Sequence, residues 1–228
     1  MTLENLTSLP PYLQRLDMSC CGLNGSIPYH IGMLSKLKYL SFYANYLTGK
    51  LPTSLINLTQ LEVLDVSNND LSGSIPSGIS SFKNLYLVDL GKNQLGGKIP
   101  SALATLAKLQ YLNLKFNQFD GSLDFQLGKC DNPINFGSLT KLKYLDLSFN
   151  QFNGSLAFLS TINTQLVKLD VSHNSFTGFV PVFENCSTLL NLNLSNNLLS
   201  GNIPEELGDC TSLESVSLND NKLTGSIP

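Results

Sequence analysis

Few residues in this chain could do bond-making chemistry, and their spacing does not favour it. There are two histidines, His30 and His173. They are too few for a metal cluster, and no H-E-x-x-H, C-x-x-C or glycine-rich phosphate motif accompanies them. Asp17, Asp65, Asp89, Asp146 and Asp170 could be read as pairs of acid and base. All five recur in one phrase, as in LDVS (64–67) and LDLS (145–148), so a repeated solvent-facing strand position explains them more simply. No enzymatic activity, metal or cofactor is expected. The five cysteines are Cys20, Cys21, Cys130, Cys186 and Cys210, and an odd number leaves at least one thiol unpaired.

The phrase is part of a longer one. Aligning the chain on its asparagines gives L-x-x-L-x-L-x-x-N-x-L-x-G-x-I-P. The asparagine falls at Asn45, Asn69, Asn93, Asn117, Asn150, Asn174, Asn197 and Asn221, with Cys21 in its place in the first copy. Successive copies are 24, 24, 24, 24, 33, 24, 23 and 24 residues apart, so nine copies run from about residue 13 to Pro228. A period of this length marks a stacked-repeat architecture. Residues 1–228 therefore read as one domain, and the 33-residue unit carries its extra residues within 123–139. The net charge is −3 and the isoelectric point about 5.3, without a Lys/Arg cluster. Nucleic acid and anionic membrane are poor partners for such a surface. No apolar run reaches the roughly 20 residues of a membrane helix, so direct membrane insertion is not expected. The start, MTLENLTSLPPYLQRL, lacks a basic segment followed by an apolar one. The chain is thus expected either not to be secreted or to have lost its signal.

One repeat can be built from its letters. The last two leucines of L-x-x-L-x-L share the strand period and point to one face, while the aspartates between repeats' leucines point to the other. One parallel strand per repeat is expected, centred near Asp17, Ser41, Asp65, Asp89, Asn113, Asp146, Asp170, Asn193 and Ser217. The asparagine leaves the strand, and its amide can both donate to and accept from loop backbone. Buried as a column, the asparagines would satisfy groups that stacking has dried out. The glycine after each, such as Gly73, permits a tight bend, and the following proline in seven copies stops helix. Leu34, Leu58, Phe82, Leu106 and Leu139 form a second buried column on the far side. Cys186 and Cys210 occupy that same column. As small buried hydrophobes they are expected to be free thiols, although a disulfide between neighbouring turns is sterically open.

The L-x-G-x-I-P continuation, with LDLS or LDVS before the asparagine, resembles the plant-specific class of leucine-rich repeats. That class is found in receptor-like kinases, receptor-like proteins and polygalacturonase-inhibiting proteins. The resemblance covers all nine copies. It implies an α/β repeat fold: a right-handed leucine-rich-repeat solenoid with a parallel concave β-sheet and short 3-10 or irregular convex turns. It also implies an extracellular or cell-surface protein that recognises a peptide or protein ligand in signalling or defence, with a co-receptor as a further partner. The family's N-terminal cap, a cysteine pair around a tryptophan, is not matched, and the chain ends within a repeat. It is expected to be a piece of a larger ectodomain or an unusually minimal relative. The alternatives are a soluble inhibitor of a secreted hydrolase and a trimmed or designed scaffold without its own ligand.

The repeat allows function to be sought by subtraction. Positions that follow the template are scaffold, and departures on the concave face are binding candidates. Before the central leucine the chain places Tyr39, Tyr111, Tyr144 and Lys168. Beyond the acidic column the usual serine becomes Tyr43 and Lys115, and next to these come Phe116, Phe149 and His173. Exposed aromatics of this kind make interface hot spots, whereas packing across neighbouring strands would explain them without a ligand. Adjacent turns should bring Tyr111 to Tyr144 and Phe116 to Phe149, provided the insertion leaves the sheet continuous. N-glycosylation acceptors occur at Asn5, Asn24, Asn57, Asn153, Asn185 and Asn193, six against roughly four expected from the Asn, Ser and Thr content.

Overall fold

The computed structural model describes residues 2–3, 8–123, 136–160 and 165–228. Nine short strands, Arg15–Asp17, Tyr39–Ser41, Val63–Asp65, Leu87–Asp89, Tyr111–Asn113, Tyr144–Asp146, Lys168–Asp170, Asn191–Asn193 and Ser215–Ser217, pair in chain order into one parallel sheet. Each strand ends on the residue that the sequence suggests as its centre. The reason is local: the side chain at that position turns the chain. Asp65 accepts the Ser67 N–H at 3.0 Å, an Asx turn that takes the backbone out of the ladder. Parallel neighbours require a crossover, and the right-handed one gives a solenoid. Tyr111 pairs directly with Tyr144, so the sheet crosses the 33-residue unit without a break. Residues 124–135 of the insertion, Cys130 and Asn5 lie outside the described residues.

A second, lateral sheet was not anticipated from the sequence. Seven strands from Asn24–Ser26 to Ser175–Thr177 run through the segment after each asparagine, and Ser200–Gly201 and Lys222–Leu223 form a further pair. On the convex side most repeats make a short 3-10 turn, such as Thr53–Asn57 after Pro52 or Ser101–Thr105 after Pro100. No helix among the described residues is long and apolar enough to cross a membrane.

Leucines of the concave strands, the lateral strands and the convex column meet in one continuous core, where Phe119, Phe152 and Phe176 follow one another at 6.4 and 6.2 Å. Leu34, Leu58, Phe82, Leu106 and Leu139 are buried in the convex column. Two sequence expectations are corrected. Cys186 and Cys210 are not free thiols: they are joined in a disulfide, because register stacks their Cα atoms 5.0 Å apart in that column. The aspartates are not a uniformly solvent-facing row either. Asp146 is only 2% exposed, and Asp65, Asp89 and Asp170 are partly buried, each taking hydrogen bonds from neighbouring side chains.

The asparagines bridge turns in all eight repeats that carry them. Asn93 is representative. Its Oδ1 accepts the Leu71 N–H of the preceding repeat at 2.9 Å, and its Nδ2 donates to the carbonyls of Val66 at 3.0 Å and Leu90 at 3.1 Å. Asn45, Asn69, Asn117, Asn150, Asn174, Asn197 and Asn221 make the same set.

Candidate functional site

Register on the concave sheet gathers most of the candidate residues into one strip. The Tyr111 and Tyr144 rings stack with centroids 4.3 Å apart and planes within 11°. The Lys168 ammonium lies 5.1 Å over the Tyr144 ring. One column further along the chain, Phe116, Phe149 and His173 form a second stack, with centroid spacings of 4.1 and 3.9 Å. These three residues have left-handed backbones, with φ of 52°, 54° and 51°. That conformation is uncommon for bulky residues. The signal was legible in the sequence: the same column holds Asn68, Asn196 and Asp220, residue types that tolerate it. Phe116 and Phe149 remain about two-fifths exposed even when stacked.

Stacking decides what the strip can offer. Phe149 has neighbours on both ring faces, and Tyr144 is covered by Tyr111 and Lys168. Tyr144 and Phe149 therefore present ring edges rather than open faces, whereas Tyr111 has an aromatic partner on one face only among the described residues. Such a surface suits apolar side chains and hydrogen-bonding backbone better than a sugar or base that must stack.

The acidic row runs beside the aromatics. The Tyr111 hydroxyl donates to Asp89 at 3.3 Å and the Tyr144 hydroxyl to Asp146 at 3.2 Å. Burial, then the nearby Asp89 carboxylate, pushes the Tyr111 phenol up to about 12. Burial, then Asp146 and Tyr111, raises Tyr144 beyond the ordinary phenol range. Both phenols stay protonated donors. Lys115 sits 3.9 Å from Asp146 and balances that buried carboxylate. Burial raises the Asp65 carboxyl against the hydrogen bonds from Ser67, whereas the Ser19 hydroxyl holds exposed Asp17 low.

The two remaining candidates are placed differently. Tyr39 is partly buried nearer the N-terminal end, with the Arg15 guanidinium 3.5 Å over its ring. Tyr43 is exposed and reaches the strip across Ser67 and Gly91, two small residues that separate it from Lys115 in one column. Asp89, Gly91, Lys92 and Asn113 line this gap and were not singled out from the sequence. The signal was present: LGKN (90–93) breaks the LSxN phrase by putting glycine where serine is usual. Of the glycosylation acceptors, Asn24, Asn57, Asn153 and Asn185 are exposed away from this face, while Asn193 lies within a concave strand. Among the described residues, no group of three His, Cys, Asp or Glu is disposed to hold a metal ion.

The repeat register can now be set beside known proteins. A family model described as "Leucine-rich repeat region" matches residues 3–170, and one described as "Leucine rich repeat" matches residues 164–223. The chain belongs to the leucine-rich repeat family. Within that family its fold resembles plant receptor ectodomains. A TDR receptor structure is 34% identical over 95% of this chain, with a TM-score of 0.77. The ectodomain of the Arabidopsis receptor kinase HAESA, solved with an N-terminally extended IDA peptide hormone ligand, is 30% identical over 90% of the chain at the same score. A plant ice-binding protein is 30% identical over 96% of the chain, also at 0.77. This leucine-rich repeat chain spans 40% of the TDR structure, 38% of the HAESA structure and 67% of the ice-binding one. No curated protein sequence is significantly similar to it.

Proposed function

We propose that this chain is an extracellular recognition module of the plant receptor-like kinase or receptor-like protein type. It binds an extended peptide or protein segment across the concave face of repeats five to seven, in signalling or defence. The observation that carries this reading is the continuous strip of Tyr111, Tyr144 and Lys168 beside Phe116, Phe149 and His173, flanked by the aspartate row. The repeat does not require aromatics at these positions, and tyrosine at the centre of a sheet is a common interface anchor. An extended ligand with apolar and basic groups matches ring edges next to carboxylates. Peptide hormones in complexes of similar receptors support the class of ligand, and a HAESA complex that includes SERK1 supports a co-receptor as further partner. The Cys186–Cys210 disulfide is consistent with an oxidising, extracellular compartment. An ice-binding protein with the same fold means that the strip, not the fold, must carry the argument.

The test is a random linear-peptide display library selected on the intact chain. Enriched peptides should lose about tenfold or more in affinity on Tyr111→Ala/Tyr144→Ala, the loss of at least one interface anchor. Tyr111→Phe/Tyr144→Phe, which keeps the rings, should lose less. Unchanged binding by the alanine pair would reduce the strip to strand packing.

A further inference from the structure

Most aspartates of the concave row are capped by their own repeat. Ser19, Ser67, Ser148 and Ser172 donate their hydroxyls to Asp17, Asp65, Asp146 and Asp170 at 2.7, 2.7, 2.6 and 2.7 Å. Repeat four breaks this pattern. Gly91 stands at the serine position, and Asp89 receives the Gly91 N–H at 3.0 Å, the Asn113 amide at 3.0 and 3.1 Å and the Tyr111 hydroxyl at 3.3 Å. The backbone does not demand glycine here, since Gly91 is not among the positive-φ glycines. What the glycine provides is room for the Asn113 amide, which a Cβ here would meet at 2.9 Å. A pocket of about 210 Å³ opens between Tyr43, Asp89, Tyr111, Asn113 and Lys115. That is smaller than the roughly 300–1,000 Å³ of a whole small-molecule site, and is on the scale of one side chain.

The first two repeats show what such a position accepts. Arg15 donates to Asp17 at 2.8 Å while its guanidinium lies 3.5 Å over the ring of Tyr39. Asp89 and Tyr111 hold the same two repeat positions in repeats four and five. The residue corresponding to Arg15 is Leu87, so no guanidinium is supplied from within the chain. Lys115 is turned towards Asp146 at 3.9 Å.

From this correspondence we infer that the Gly91 pocket is a subsite for one guanidinium side chain of the ligand, held by Asp89 and the Tyr111 ring as Arg15 is held by Asp17 and Tyr39. A guanidinium is favoured over an ammonium because it is planar, carries a fork of donors matched to a carboxylate, and stacks on aromatic rings. The inference rests on the concave face being the binding face, and makes arginine a specificity determinant there.

The probe is N-acetyl-arginine amide, titrated into the isotope-labelled chain while the Gly91 amide and the Asn113 side-chain amide are followed by NMR. Both resonances should shift saturably, and N-acetyl-citrulline amide, the neutral isostere, should shift neither. Asp89→Asn should weaken the arginine probe by about tenfold or more by removing the carboxylate's charge. This variant should fold, because asparagine already holds the same strand-end position at Asn113 and Asn193. Equal shifts from citrulline, binding of N-acetyl-glutamate amide in place of arginine, or undiminished binding by Asp89→Asn would overturn the subsite. The library selection fails separately. Selected peptides that depend on Tyr111 and Tyr144 while the arginine probe gives no shift would refute the subsite and leave the face standing.

Discussion

At the scale of the residue, the asparagine column is expected to be structural. Asn93→Ala deprives the Leu71 N–H of its partner inside the stack and removes one of the two amide donors to the Val66 carbonyl. A loss of roughly 1–3 kcal/mol is expected, as for a buried polar group left unsatisfied. The adjacent Lys92→Ala should change stability by less than about 0.5 kcal/mol. Lys92 has φ of 52°, but Ala44 already holds 53° in the same column, so alanine is accommodated there. Denaturant midpoints compare the two variants, and equal midpoints would remove the ladder's structural role. Tyr111 gives a pH prediction. Its phenol titrates near 12 when folded and near 10.0 when unfolded, so the unfolded chain releases its proton first as pH rises. The tyrosine's contribution is full below pH 10 and is lost between about 10 and 12, so stability falls across that window. Tyr111→Phe should flatten the fall in unfolding free energy measured there, and an unaltered slope would contradict it.

Elements were legible where one repeat position has one job. The strand leucines, the convex column from Leu34 to Leu139 and the turn asparagines follow from period and polarity alone. Two features were not legible, because they depend on what the neighbouring turn places opposite. The lateral sheet arises only when segments such as Asp70–Gly73 and Gln94–Gly97 lie side by side. The Cys186–Cys210 bond needs the register between repeats, which converts two small hydrophobes into a cross-link. The same holds at the site. Tyr111 and Tyr144 could be named from the sequence, but the pocket beside them required seeing Gly91, Asn113 and Tyr43 together. The disulfide predicts a local effect. It closes a separation of 24 residues, so its reduction should cost about 3–4 kcal/mol by the loop-entropy relation. Because repeats interact mainly with neighbours, the loss should concentrate in the last repeats. Amide exchange with and without reductant would show it, and loosening spread evenly from repeat one onwards would argue against it.

For the whole molecule, the faces should divide their tasks. Asn24, Asn57, Asn153 and Asn185 project where glycans would leave the concave strip clear. Asn193 instead donates to Asp170 at 3.1 Å and accepts from Ser195 at 2.8 Å. In protein secreted from eukaryotic cells, peptide mapping by mass spectrometry should therefore find Asn193 unmodified, and a glycan there would count against the concave face as the binding face. The central claim, that ligand crosses the strip of repeats five to seven, is tested most directly by amide hydrogen exchange of the intact chain with and without a display-selected peptide. The account predicts added protection in Tyr111–Asn113, Tyr144–Asp146 and Lys168–Asp170 and in the turns holding Phe116, Phe149 and His173. Protection confined to the convex 3-10 turns or to the lateral sheet would contradict it.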